Sequence, residues 1–241
     1  MKPGFAKSGR ASPSTRQPFK LVKVIAMIKT ASQWIALGAV VGPIPFTLAW
    51  AMLGALRPGY SAISEPISLL GVGPHGLILD ASFVVTALLL IVGLVGAILN
   101  VGGMSVVSRS VSIVLLSLSP IGLAICGLFT ADTPSVHYPA VALATGTPIV
   151  SFAVVGLLML RVPGWRRFGA WLILASPLTL ALTWLVTIDL TAMRAGATGG
   201  VGGLTERILA VEIFAWFVAL GWLGFRAAPN TNGNQASDSI H

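Results

Sequence analysis

The sequence predicts an all-α fold: an integral membrane bundle of six transmembrane helices. Three observations carry that prediction. Only 9% of the 241 residues are charged while 55% are apolar, against about a quarter charged in soluble domains, and the mean hydropathy is +0.90. Six apolar windows each approach the roughly 20 residues that a bilayer crossing requires. Lysines and arginines fall preferentially on alternate connections between those windows, as the positive-inside bias demands.

The net charge of +8 does not point to nucleic acid. Seven of the fifteen basic residues (Lys2, Lys7, Arg10, Arg16, Lys20, Lys23 and Lys29) precede the first apolar window with no acid among them. That pattern fits residues 1–32 as a cytoplasmic segment held near anionic headgroups, with "KLVKVIAMIK" (20–29) as an interfacial helix. The first window, 33–55, is too long for the apolar stretch of a cleaved signal and reads as a retained anchor. The others are expected at 77–99, 110–129, 139–161, 169–188 and 207–226, with 227–241, rich in Asn, Ser and Gly, as a disordered cytoplasmic tail. Gly38 and Gly42 are spaced for close helix approach. Pro43, Pro45, Pro120, Pro148 and Pro177 are candidate kinks, and most tryptophans sit near window ends as interfacial anchors. Cys126, the single cysteine, has no disulfide partner and reads as a small core residue.

Twelve of the fifteen basic residues lie ahead of the first window, in the second and fourth connections or after the sixth window; Arg57, Arg194 and Arg207 make up the rest. Both termini are therefore expected in the cytoplasm, in a multi-pass protein of the cell membrane. Six of the seven acids then fall at the outer face or in the outer half of a span: Glu65, Asp80, Asp132, Asp189, Glu206 and Glu212. His75, His137, Tyr60 and Tyr138 join them. Glu212 lies roughly 7 to 9 Å deeper than Glu206 at 1.5 Å per residue. Intramembrane acids are costly and are expected to pair, here with Arg57, Arg194 or Arg207.

The passage "RPGYSAISEPISLLG" (57–71) is polar between two greasy windows. Its serines admit two readings: Ser68 or Ser64 activated by His137 with Asp132 as orienter, or turn formation and capping. Phosphate-loop, nucleophile-elbow and zincin motifs are absent. No two histidines or acids are spaced to bind metal from one helical face, so neither a metal nor a cofactor is expected.

Three stretches, "RPGYSAISEPISLLG" (57–71), "GLFTADTPSVHYP" (127–139) and "GLTERILAVE" (203–212), together resemble a prokaryotic six-span membrane family catalogued as domain of unknown function 998. The resemblance covers residues 33–226 and implies that Ser68, Gly71, Asp132, His137, Glu206 and Arg207 occupy the family's characteristic positions. The chain departs from the pattern at Glu65–Pro66, where members commonly carry an acid followed by Thr or Phe. The family is distantly similar to eukaryotic DRAM and GPI-lipid-remodelling membrane proteins and brings no established activity. Three functions are expected to compete. The first is binding or modification of a membrane lipid or other amphipathic molecule at an outer polar site, with Ser68, Asp132, His137 and Glu206 as catalytic candidates and Arg207, Glu206, Asp80, Glu212 and Tyr60 as ligand-binding ones. The second is a small-solute or proton-coupled transporter, and the third a structural partner of other membrane proteins. Sidedness is open to direct test: in intact cells an impermeant thiol reagent should label Asp132→Cys and spare Arg166→Cys, and the reverse pattern overturns the orientation.

Overall fold

The computed structural model describes residues 31–197 and 199–227. The basic segment 1–32 with its interfacial helix lies outside them except for residues 31 and 32, as does the tail 227–241 except for residue 227. Among the described residues, seven α-helices form six spans: α1 (Ala31–Val41) and α2 (Pro43–Leu56) make the first, followed by α3 (Gly76–Leu99), α4 (Val106–Leu128), α5 (Pro134–Leu160), α6 (Arg166–Arg194) and α7 (Gly202–Arg226). Each span is long and apolar enough to cross a membrane, and among the described residues there is no strand. The chain is thus a multi-pass helical bundle of the kind its hydropathy requires. A 3-10 segment, Ile67–Gly71, lies in the connection after α2.

Each span packs on the next in sequence, the sixth closes the ring on the first, and α3 and α7 touch across the middle. Glycines set how closely these helices approach. A Cβ on Gly93 would lie 1.8 Å from Ala39 N, and one on Gly38 would lie 2.8 Å from the Leu89 carbonyl oxygen, so α1 and α3 meet backbone to backbone. Small residues permit such contact in lipid, where apolar burial gives no preference for helix over solvent. Gly122 against Ala144 and Gly156 against Gly169 do the same for α4–α5 and α5–α6.

All six spans start before their expected windows, and for two of them the cause is local. Ser105 accepts a 3.1 Å hydrogen bond from Ser108 N and caps α4, which draws residues 106–109 into the first turn. α5 starts at Pro134 rather than at residue 139, because Pro134 fills the first-turn position where no N–H is missed. Pro139 then lies inside the helix and deprives only the exposed Ser135 carbonyl of its donor. As a result His137, expected in a loop, is helical.

At Pro148 a hydroxyl on a neighbouring helix compensates for the lost bond. Pro148 cannot donate to the Ala144 carbonyl, and Ser119 Oγ on α4 supplies that bond at 2.7 Å. In the first span Gly42 keeps helical angles, so α1 and α2 continue as one rod. Beyond Pro45, Phe46 N donates to Thr86 Oγ1 of α3 at 3.2 Å. The backbone contact at Gly93 yields a simple test. Gly93→Ala must push α1 and α3 apart and should cost about 1–3 kcal/mol or more in thermal unfolding, whereas Gly146→Ala, with open space at its Cβ, should leave stability unchanged.

Candidate functional site

The connection from Arg57 to His75 folds as a compact plug against the start of α7. Gly203 makes the contact possible, since a Cβ there would lie 2.2 Å from the Glu65 carbonyl oxygen. Leu204 N donates to the Ile63 carbonyl at 2.9 Å. One turn on, the Arg207 guanidinium donates to the carbonyls of Gly203 (2.7 Å) and Glu65 (3.2 Å) and to the Tyr60 hydroxyl (2.6 Å). Arg207 is only 7% exposed and lies over the rings of Trp50 and Tyr60 at 5.1 and 5.7 Å, a cation–π arrangement. The Tyr60 hydroxyl donates in turn towards the Glu65 and Pro66 carbonyls, both 3.1 Å away. Burial raises the Tyr60 phenol above its usual pKa of 10.0, with the Arg207 hydrogen bond and charge opposing.

Glu206, the neighbour of Arg207, points the other way. One carboxyl oxygen accepts a 2.6 Å hydrogen bond from Ile67 N, the first amide of the 3-10 segment. At the far end of that segment Arg57 donates to the carbonyls of Leu69 (2.5 Å) and Val72 (3.1 Å). "GVGPHG" (71–76) is the turn into α3, with Gly73 and His75 at positive φ and the Gly71 carbonyl so close to Gly76 that a Cβ there would sit 2.1 Å away.

Behind the plug lies an interior cavity of about 70 Å³. Its walls are mainly apolar, with Phe46, Phe83, Leu123, Val141, Ile213 and Phe214 among them. Ser68 from the 3-10 segment, His137 from α5 and Glu206 from α7 reach it from three separate elements. His137 is 1% exposed and its Nδ1 lies 2.7 Å from the Phe129 carbonyl oxygen. A carbonyl can only accept, so Nδ1 carries the proton, and Nε2 of the neutral ring is an acceptor. Nε2 is buried with no hydrogen-bond partner.

The remaining candidates lie elsewhere. Asp132 is exposed in the connection between α4 and α5, where it accepts from Thr130 Oγ1. The group beside His137 Nδ1 is therefore the Phe129 carbonyl, a correction to the expectation that Asp132 orients the imidazole. Asp80 lies against Gly71, within electrostatic reach of Asp132. Glu212 accepts hydrogen bonds from Thr179 (3.0 and 3.1 Å) and Trp216 (2.8 Å) rather than from an arginine. Tyr60 and Arg207 are engaged with each other and with the plug. Trp50, expected as an interfacial anchor, is the platform under Arg207.

Sequence reasoning missed Ser119, Cys126 and Thr145, which also line the cavity. The available signal was the run "SLSP" (117–120), hydroxyls beside a proline in mid-span. The plug's dependence on a single cation can be measured. Arg207→Met removes the donor to two carbonyls and to the Tyr60 hydroxyl and should cost about 2–3 kcal/mol; limited proteolysis should then cut within 57–75 faster than in the parent chain.

A family model described as "Protein of unknown function (DUF998)" matches residues 40–223. No curated protein and no solved structure matches the chain. The matched stretch contains all of α2 to α6, the plug, the cavity and each candidate residue from Tyr60 to Glu212. The chain belongs to the DUF998 family of proteins of unknown function.

Proposed function

We propose that the protein binds a membrane lipid or other amphipathic molecule at the outer face, seating apolar chain in the cavity and a polar group against Ser68, His137 and Glu206. The observation that carries this reading is the meeting of those three residues, from three elements, on one mainly apolar cavity. Ligand sites are typically concave, apolar and furnished with a few convergent polar groups. A cavity of about 70 Å³ is well below the roughly 300–1,000 Å³ of pockets for drug-sized ligands, which favours a slender occupant such as one alkyl chain. Transport finds less support, because Asp80 and Glu212, the acids on which a path would depend, do not line this cavity.

Filling the cavity tests the reading without touching its polar residues. Native mass spectrometry of the purified protein should find a co-purifying lipid or amphiphile. Ala210→Leu and Val141→Phe, both on the cavity wall, should lower its occupancy by at least about tenfold, equivalent to 1.4 kcal/mol. Leu178→Ala, on the exposed face of α6, should retain it. Undiminished occupancy in both filled variants, each folded by its thermal transition, overturns the proposal.

A further inference from the structure

The polar rim of the cavity is rich in acceptors and poor in donors. The Ser119 hydroxyl hydrogen is committed to the Ala144 carbonyl at 2.7 Å and that of Thr145 to the Val141 carbonyl at 2.9 Å. His137 has committed its Nδ1 proton to Phe129, which leaves Nε2 as a buried acceptor with no partner. Glu206 gives one oxygen to Ile67 N, and its second has no protein donor among the described residues. The Ser68 hydroxyl and the Cys126 thiol, a weak donor, each retain an uncommitted hydrogen at the cavity.

Buried polar groups in folded proteins are almost always hydrogen-bonded, and His137, a residue of the cavity wall, keeps its buried Nε2 without a partner. Resting on the cavity-binding reading above, we propose that the bound group is a hydrogen-bond donor on a single alkyl chain: an O–H or N–H that donates to His137 Nε2, with Ser68 donating back to it. A carboxylate or phosphate is disfavoured here, because it would set lone pairs against the lone pair of Nε2. Specificity built on complementing an acceptor in this way is sharp, since the wrong head both forgoes its own bond and leaves the protein group unpaired.

Four probes of equal chain length separate the head from the tail: octan-1-ol, octylammonium, octanoate and octane, added to the full chain in phosphatidylcholine nanodiscs. Binding is read from the rise in Tm and from the His137 side-chain ¹⁵N resonance, assigned by its loss in His137→Phe. Octan-1-ol or octylammonium, or both, should raise Tm and move the Nε2 resonance, and which of them does so tells a neutral donor from a charged one. Octanoate should bind at least about tenfold more weakly than the better of the two. His137→Phe should bind octan-1-ol no better than octane, and Ala210→Leu should abolish all responses, placing them in the cavity rather than the bilayer. Octanoate binding as tightly as both donor probes, or donor binding that leaves Nε2 unmoved, overturns the donor assignment while cavity binding stands. No response to any probe counts against the cavity reading itself. The wild-type ranking of the four probes by Tm decides the matter even if His137→Phe does not fold.

Discussion

The architecture depends on one constraint: a backbone at membrane depth must find its hydrogen bonds within the protein. The six spans meet it by their own helical bonds except at prolines such as Pro148, but the plug at 57–75 does not. Its carbonyls turn inward without a regular ladder, and Arg207 supplies donors at the point of contact. The arrangement has an internal logic in the sequence "GLTER". Gly203 lacks the Cβ that would strike the Glu65 carbonyl, so loop and helix can touch. Arg207, four residues on, lies on the same helical face and bonds both carbonyls that the contact brings together. Between them Glu206 accepts from the first amide of the 3-10 segment. Docking surface, cation and acceptor therefore occupy five consecutive residues, and the plug's position follows from them.

The cavity follows from the same constraint applied to proline. Pro148 frees a carbonyl on α5 and Ser119 answers it from α4; beyond Pro45, Phe46 N donates to the Thr86 hydroxyl on α3. Ser119, Ala144 and Phe46 all line the cavity, so the interior void sits where spans are interrupted and their side chains are occupied in repair. This explains why hydroxyls at the rim present lone pairs: their hydrogens are already serving the backbone.

The spans were legible because hydropathy is a local property, and each window needed only its own residues to declare itself. The candidate residues were legible by type but not by arrangement. Ser68, His137 and Glu206 were identifiable as polar residues near one end of the bundle, and their meeting on one cavity depends on ring closure, which no single window records. Asp132 was the natural orienter for His137 by side-chain chemistry, yet a backbone carbonyl holds that place, and carbonyls carry no sequence signature. His137 itself was read as a loop residue because Pro139 can open a helix. Pro134 can too, and choosing between two such prolines required knowing that residues 134–138 could pack.

Plug and cavity are one device in energetic terms. Ile67 and Ser68 belong to the plug and also form part of the cavity wall, while Glu206 holds the plug by Ile67 N and lines the cavity with the rest of its carboxyl. Lifting the plug would remove two wall residues and the donor to Glu206 in one step. A ligand that touches Ser68 must therefore favour the docked plug, and by linkage the docked plug must favour the ligand to the same degree. Arg207 enters this coupling from outside the cavity, since its bonds to Glu65 and Tyr60 set how firmly the plug is seated. The conspicuous cation of "GLTER" can thus govern affinity while never meeting the ligand, which separates the roles of two adjacent charged residues that the sequence presents as a pair.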